Sequence, residues 1–333
     1  MPKFLILRFS SIGDIVLTTP VIRCIKQQIP NAEIHFFTKK QYQSIVEHNI
    51  YIDNIIYLHD DLKEQIKLLQ LMHFDYIIDL HKNIRTAYIK WKLGVKSFSF
   101  EKLNYEKWLL TTFKINRLPK IHIVDRYLNT VKSLGVKNDN EGLDYFLPPS
   151  LNGDGNTIIK QLKIPFEPYK YVAFAIGAQH ATKRLPNEKI IAVCKKIKNP
   201  IVLLGGKEDV VRGNAICDAV NSKTIYNACG ILSLHQSAAA LKYASSVITH
   251  DTGLMHIAAA FNKKIISVWG NTVPQFGMTP YFGYNRMQGS AAIIEVKNLS
   301  CRPCSKLGYN SCPKKHFNCL NKIDEAAVVQ NVV

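Results

Sequence analysis

Short hydrophobic runs recur along the chain and alternate with longer segments in which apolar residues return every three or four positions. The short runs predict buried parallel strands, and the longer segments predict amphipathic helices. The predicted strands are residues 3–8, 33–37, 54–58, 76–80, 96–100, 171–176, 200–204, 246–249, 264–268 and 291–296. Because strands that alternate with helices form a parallel sheet covered on both faces, the chain is expected to be of the α/β class.

One polar segment interrupts this alternation. Residues 136–170 are rich in turn formers and include Pro148 and Pro149. The length of 333 residues also suits two domains rather than one. The sequence therefore predicts a first domain at 1–150, a linker at 151–168, a second domain at 169–315 and a C-terminal segment at 316–333.

The segment SSVITHDTGLMHIAAAF at 245–261 predicts a strand, a tight turn and a helix. Ligands bind at the carboxyl ends of parallel strands, and a helix N-terminus favours a phosphate. Gly253 would let a phosphate approach the backbone, Thr252 offers a hydroxyl, and His256 follows one turn later. Asp251 either caps the helix or binds a ligand hydroxyl. An ordinary capped helix is the plain alternative, but the density of polar residues favours a binding site.

Other polar loops also follow predicted strands. They are residues 177–183, 205–209 and 270–275 in the second half, and residues 10–14 and 81–85 in the first. The first of the chain's βα turns, FSSIGD, has a single glycine and so lacks the dinucleotide fingerprint. Asp14 in that turn is either a helix N-terminal charge or a general base. A cleft with phosphate-binding loops on one side and a carboxylate on the other would suit transfer from a nucleotide donor to an acceptor hydroxyl.

The composition predicts an anionic partner, because the formal net charge is +18. Residues 82–126 hold 11 Lys or Arg against 3 Asp or Glu, interleaved with aromatic residues. This mixture fits anionic lipid headgroups, and a solvated helical face is the alternative. No 18-residue apolar run and no signal peptide is present, so a cytoplasmic protein at a membrane surface is expected.

Four of the eight cysteines cluster near the C-terminus, and the cluster includes His316. The spacing is Cys301-x2-Cys304-x7-Cys312-x6-Cys319. Four thiols so close together resemble a zinc site, although the second pair lacks the usual C-x-x-C spacing. Free thiols or a local structural loop are favoured over zinc, and no cofactor is expected.

Several segments, in order, resemble glycosyltransferase family 9, the heptosyltransferases of lipopolysaccharide core synthesis. They are RFSSIGDIVLTTPVIR, GAQHATKRLP, LLGGKED and HDTGLMHIAAAFNKKIISVWGNTVPQFGMTPY. The resemblance implies a GT-B fold, in which two Rossmann-like parallel-sheet domains face each other across a cleft. It also implies inverting, metal-independent transfer of heptose from ADP-heptose to an anionic glycolipid of the lipopolysaccharide inner core. The C-terminal segment is expected to pack back on the N-terminal domain, and the protein is expected to be a monomer.

The resemblance also implies roles for individual residues. Asp14 resembles the general base, and Lys183 resembles the cation on the diphosphate. Glu208 resembles the acid that binds the ribose, although Asp209 is an alternative. The implied donor site comprises Gly177, Glu208, Asp251, Thr252, Gly253, Leu254, Met255 and His256. The implied acceptor site comprises Ser10, Ser11, His81, Lys82 and Arg85.

Three alternatives remain open at this point. The first is a transferase of the same fold that uses another sugar nucleotide. The second is a basic nucleic-acid-binding protein, although the layouts of the common nucleic-acid-binding motifs are missing. The third is an inactive nucleotide-binding protein, which the presence of both Asp14 and Lys183 disfavours.

Overall fold

The computed structural model describes residues 1–285 and 290–332 and consists of alternating strands and helices. The strands are β1 (Lys3–Leu7), β2 (Glu33–Thr38), β3 (Asn54–Tyr57), β4 (Tyr76–Asp79), β5 (Lys96–Ser99), β6 (Val172–Ala175), β7 (Ile201–Leu204), β8 (Ile225–Asn227), β9 (Ser246–His250), β10 (Lys264–Trp269) and β11 (Ala291–Glu295). The α-helices are α1 (Ile12–Val16), α2 (Thr19–Gln28), α3 (Gln43–Val46), α4 (Leu62–Leu71), α5 (Ile84–Leu93), α6 (Asn104–Phe113), α7 (Ile123–Leu128), α8 (Gly155–Gln161), α9 (Asn187–Lys196), α10 (Val210–Val220), α11 (Leu234–Lys242), α12 (Gly253–Ala260), α13 (Asn318–Asn321) and α14 (Glu325–Gln330).

The chain forms two compact units. The first contains Met1–Lys102, Ile121–Phe146 and Gly283–Asn285. The second contains Leu103–Lys120, Leu147–Phe282 and the described residues from 290 to 332. Each unit is built around its own parallel sheet, so the expected α/β class is confirmed.

The sheet of the first unit has the strand order β3-β2-β1-β4-β5, and every pairing is parallel. β1 lies at the centre, and Phe4, Leu5, Ile6 and Leu7 are fully buried. Central strands covered by helices on both faces read as continuous apolar runs, which is why KFLIL predicts a strand without alternation. The chain order reverses between β1 and β4, so their carboxyl ends form the switch point of this sheet.

The sheet of the second unit has the order β11-β10-β9-β6-β7-β8, again with parallel pairings. Its switch point lies between β6 and β9. The loops that follow these two strands therefore start next to each other at one edge of the sheet. They are the loops that carry Lys183 and the Asp-Thr-Gly sequence.

The ten predicted strands are all present, and each end lies within one residue of its predicted position. The helix expected after β1 is instead divided into α1 and α2. Pro20 stands in the first turn of α2 and has no N–H to continue the hydrogen-bond ladder. The hydroxyls of Thr18 and Thr19 donate to the carbonyls of Ile15 and Val16, so the break leaves those carbonyls paired.

Two segments differ from the expected domain boundaries. Residues 151–168, expected to be a linker, contain α8, which the Asp154 side chain caps by accepting from the Thr157 N–H. α6 belongs to the second unit although it lies early in the chain, because Leu110 packs against Val273 and Phe276.

The C-terminal segment packs into the core of the second unit, whereas the resemblance implied that it would pack back on the N-terminal domain. Ile323, Val328 and Val332 lie in the hydrophobic core of the second unit, beside α9 residues such as Val193. Lys189 of α9 also pairs with Glu325 at 2.7 Å. Apolar burial therefore fixes this segment to the domain that precedes it in the chain.

Candidate functional site

An ion pair links the two loops at the switch point of the second unit. Lys183 Nζ lies 2.6 Å from Asp251 Oδ2 and also donates to the Asp251 carbonyl at 3.2 Å. The hydroxyl of Thr272, in the loop after β10, donates to the same carboxylate at 2.8 Å. Three loops at the carboxyl edge of the sheet are thereby joined around the Asp251 carboxylate.

The Asp251 carboxylate does not cap the neighbouring helix. α12 begins at Gly253, and its N-cap residue is Thr252, which makes no capping hydrogen bond through its side chain. The Asp251 carboxylate instead faces Lys183 and Thr272. Of the two interpretations open from the sequence, capping is therefore excluded, and the N-terminus of α12 remains suited to an anion.

The predicted donor residues of α12 differ in their exposure to solvent. Gly253 and Leu254 are partly exposed, whereas His256 is 2% exposed, one turn into the helix. Met255 is fully buried, and its N–H donates to the Thr252 carbonyl. Met255 therefore belongs to the core, which corrects its expected place in the donor site.

The structure separates the two acids of the GGKED loop. Asp209 is 1% exposed, and burial raises the pKa of its carboxyl, although the Gly206 N–H that donates to it lowers the pKa in part. Glu208 is exposed. The solvent-facing position favours Glu208 over Asp209 as a ligand-binding acid.

A residue without a side chain is required at Gly177, because the buried Asp209 carboxylate lies next to its backbone. A Cβ at Gly177 would lie 2.2 Å from Asp209 Oδ2, well inside contact distance. Gly177 therefore allows the end of β6 and the GGKED loop to pack together, and its role in the site is to shape the loops.

His250 ends β9 directly before the site and is fully buried. Its Nε2 accepts the Leu185 N–H at 3.0 Å, which requires the neutral ring. Burial, together with the charge of Arg212, lowers the pKa of His250 to about 3. The histidine thus hydrogen-bonds to the backbone of the loop that carries Lys183 and stays uncharged at neutral pH.

At the switch point of the first unit, Asp14 pairs with a buried arginine. Arg8 Nη2 lies 2.7 Å from Asp14 Oδ1, and the Ser11 hydroxyl donates to Asp14 Oδ2 at 2.8 Å. Arg8 also donates to Tyr127 Oη at 2.9 Å and to the Leu80 carbonyl. Burial works to lower the pKa of Arg8, but the Asp14 carboxylate and its other neighbours raise it overall.

The loop after β4 and the first turn of α5 bring His81, Lys82 and Arg85 to the same sheet edge. The buried Asp79 carboxylate accepts the N–H groups of His81 and Lys82, which fixes the loop. Burial lowers the pKa of His81 to about 4, and the charges of Arg8 and Lys102 add to this effect. Lys82 and Arg85 are exposed, and Ser10 is partly exposed on the opposite loop.

Some residues of these sites were missed from the sequence. Arg8 had no predicted role, yet a charged residue directly after a buried strand is itself a signal. Thr272 lay inside the predicted loop 270–275 without a role. Its contact with Asp251 depends on the order of strands in the sheet, which no local pattern reports.

The two units together define the class of protein. Each is a Rossmann-like parallel sheet with polar residues at its switch point; one carries a lysine beside a helix N-terminus and the other carries a carboxylate. Residues 64–310 match the family described as "Glycosyltransferase family 9 (heptosyltransferase)", and the chain belongs to that family. The protein is therefore a glycosyltransferase, and the expected GT-B fold class is confirmed.

Curated proteins and solved structures agree with this assignment. The lipopolysaccharide heptosyltransferase 1 of Campylobacter coli is 23% identical over 296 residues, which cover 81% of this chain and 84% of that protein. The family 9 glycosyltransferase of Veillonella parvula DSM 2008 has a TM-score of 0.78 at 22% identity, over 99% of this chain and 96% of that one. The E. coli ADP-heptose lps heptosyltransferase II has a TM-score of 0.68 at 20% identity, with both chains fully covered.

The buried His250 predicts a particular acid sensitivity of the second unit. The unfolded chain binds a proton at His250 near pH 6.5, whereas the folded chain does so only at about pH 3. Stability is therefore lost as the pH falls from 6.5 towards 3, with a contribution of at most about 1.4 kcal/mol per pH unit. The measurement is denaturant unfolding between pH 7 and 4, followed by tryptophan fluorescence, to which the buried Trp269 contributes.

The His250→Gln variant should show a shallower loss of stability with acid than the unsubstituted protein. His59, which is exposed, supplies the matched control, since His59→Gln should leave the slope unchanged. Equal slopes in all three proteins would contradict a titrating role for His250.

Proposed function

We propose that this protein transfers a heptose from ADP-heptose to an anionic lipopolysaccharide inner-core acceptor, with inversion and without a metal ion in the reaction. The observation that carries the proposal is the Lys183–Asp251 pair at the start of α12. The first unit would bind the acceptor, and the second would bind the donor.

The donor diphosphate is proposed to bind at the start of α12. Its negative charge would interact with Lys183 and with the N–H groups at the helix N-terminus, near Thr252 and Gly253. Both groups stabilise the charge that develops on the departing diphosphate, so the reaction has no step that requires a divalent metal. Leu254 and His256 would complete this part of the donor site.

Asp251 is proposed to hold Lys183 in position and to contact the transferred sugar. Its pairing with Lys183 and Thr272 restricts the lysine to one geometry before the donor arrives. Glu208 is proposed to bind the ribose hydroxyls, because a solvent-facing carboxylate accepts hydrogen bonds from a diol. The choice of ADP-heptose is supported by the names of the relatives and by the matched family.

Asp14 is proposed to act as the general base on the acceptor hydroxyl. The proton moves to the carboxylate, the acceptor oxygen bonds to the anomeric carbon, and the bond to the ADP oxygen breaks. The Arg8 contact at 2.7 Å holds the Asp14 carboxylate at the switch point of the first unit. Ser10, Ser11, His81, Lys82 and Arg85 would surround the acceptor, and the two exposed cations would attract its anionic groups.

α6 is proposed to attach the protein to a membrane that carries the acceptor. Leu109 and Leu110 face the protein interior, whereas Tyr105, Trp108 and Phe113 are 60%, 49% and 56% exposed. The Trp108 ring contacts both others, with its centroid 6.0 Å from that of Tyr105 and 5.2 Å from that of Phe113, and we call the three rings the aromatic ridge. Amphipathic helices with such ridges lie in the headgroup region of bilayers.

The charge near the ridge points to anionic lipid. Arg117 and Lys120 are exposed in the segment that follows α6. Such residues contribute roughly 1 kcal/mol each at an anionic surface. Among the described residues, no helix combines the length and apolarity of a membrane span. We propose peripheral attachment of a monomer to the inner face of the inner membrane, with no role in nucleic-acid binding.

Nucleotide affinity tests the donor site. ADP and ADP-heptose should bind more tightly than the corresponding UDP and GDP compounds in calorimetric titrations. Lys183→Met should weaken ADP binding by about 10- to 100-fold, because a hydrogen bond to a charged group is worth roughly 1.5–3 kcal/mol. Lys195→Met, on the exposed face of α9, is the control. Tighter binding of a UDP or GDP compound would exclude the ADP-heptose assignment.

Substitution of the base should separate turnover from binding. Asp14→Asn keeps the side-chain shape but removes the proton acceptor, so turnover should fall by about 10²- to 10⁴-fold while ADP affinity stays unchanged. Asp53→Asn, which removes a carboxylate that pairs with Lys26, is the control for a lost surface charge. Near-normal turnover in Asp14→Asn would remove Asp14 from the proposed role.

The aromatic ridge predicts binding to anionic vesicles. The full-length protein should sediment with vesicles of phosphatidylglycerol and phosphatidylethanolamine, and Trp108→Ser should reduce that binding while ADP affinity is retained. Tyr169→Ser removes an aromatic side chain that is 55% exposed elsewhere in the second unit and should have little effect. Equal binding of both variants, or binding to neutral vesicles alone, would count against attachment through α6.

A further inference from the structure

The C-terminal part of the second unit contains four thiols that the transfer reaction does not use. Cys301, Cys304, Cys312 and Cys319 line one small cavity of about 20 Å³, together with His316. Three of the four residues lie in irregular segments and Cys319 lies in α13, all within 19 residues, and all four are free thiols. The sequence left free thiols and a zinc site as alternatives. The fold adds that all four cysteines line the same cavity.

The backbone around these thiols is shaped to hold sulfur atoms. The Lys315 N–H donates to the Cys312 carbonyl at 2.9 Å and closes a tight turn beside the Cys312 thiol. Lys315 and Phe317 adopt left-handed conformations with φ of 57° and 46°, which side chains rarely take. The Asn318 N–H donates to His316 Nδ1 at 3.0 Å, so His316 Nε2 is directed to Cys301 Sγ, 3.9 Å away.

We propose that Cys301, Cys304, Cys312 and Cys319 bind one thiophilic metal ion, zinc or iron, at a site separate from the transfer reaction. Four sulfur ligands are the donor set that these ions prefer. Four neighbouring thiolates would repel each other, and a cation at their centre removes that repulsion. His316 lies beside this set and would hydrogen-bond to the Cys301 sulfur.

Metal binding would draw the thiols closer together. Among the described residues, three of these ligand atoms do not yet lie within 4.8 Å of one another. Zinc–sulfur bonds of about 2.3 Å would place the sulfurs roughly 3.8 Å apart. Metal binding would therefore require only a small movement of the four sulfur atoms within a segment that is already folded.

This segment supports the loops of the proposed donor site. Arg302, between the first two cysteines, donates to the carbonyls of Gly270 and Thr272 at 2.6 and 2.8 Å and pairs with Glu295. Thr272 in turn contacts Asp251. The ion would thus fix the arginine that holds one side of the Lys183–Asp251 arrangement.

A second connection reaches the lysine loop. The Tyr309 N–H donates to the Thr182 hydroxyl at 2.8 Å, and the Thr182 N–H donates to the Tyr309 carbonyl at 3.2 Å. Thr182 directly precedes Lys183. We therefore assign the ion a structural role, in which it stabilises two loops without touching the substrate.

Elemental analysis tests the site directly. The full-length chain, expressed with zinc and iron in the medium and purified under reducing conditions without a histidine tag, should contain one zinc or iron per chain. The Cys304→Ser/Cys312→Ser double variant should lose the metal, whereas Cys217→Ser, a half-buried thiol elsewhere, should retain it. Substoichiometric metal in the unsubstituted protein, or full metal content in the double variant, would overturn the proposal.

A second measurement uses the unsubstituted protein and therefore tests the site even if the double variant fails to fold. The unsubstituted protein, stripped of metal and reloaded with Co²⁺, should show thiolate-to-cobalt charge-transfer absorption, and its absence would overturn the site. Thiol titration of the metal-free protein should find all eight cysteines reduced, whereas disulfides within the cluster would also overturn it. None of these measurements involves nucleotide or acceptor, so their failure is distinguishable from failure of the proposed transfer reaction.

Discussion

The arrangement of the second unit depends on the ion pair between Lys183 and Asp251. The two residues stand on the loops after β6 and β9, the neighbouring strands at which the chain order reverses. Because helices cover both faces of a parallel sheet, the polar side chains of a functional site lie at the ends of its strands. With side chains 17% and 12% exposed, the two charges are largely removed from water, and each would be costly without the other.

The first unit also has an ion pair at the end of a central strand, here between Arg8 and Asp14. Arg8 is almost buried at the end of β1, and carbonyl, phenol and carboxylate oxygens surround its guanidinium. The planar guanidinium can satisfy several acceptors at once, which lysine could not do in the same space. One buried cation therefore fixes Asp14, the loop after β4 and the start of α1 relative to each other.

Much of this organisation was predictable from the sequence because the relevant signals are local. Buried parallel strands are short apolar runs, so KFLIL and SVITH were assigned to strands within one residue. The loops of both switch points also followed from strand ends. What local patterns do not report is which distant side chains meet. The contact of Thr272 with Asp251, the choice between Glu208 and Asp209, and the convergence of four cysteines all depend on tertiary packing. The packing of α14 against α9 was not predicted for the same reason, since an apolar helix face could cover any apolar surface until the fold shows which one is available.

The membership of α6 in the second unit has a consequence for how the protein can be divided. The chain leaves the first unit after Lys102, returns at Ile121, leaves again after Phe146 and returns briefly at Gly283–Asn285. A cut near residue 150 would therefore leave α6 on the wrong fragment, where Leu110 would lose Val273 and Phe276. Neither unit corresponds to a continuous stretch of the gene, so a donor-binding fragment for separate expression would have to be built by circular permutation or by grafting α6 onto the second half.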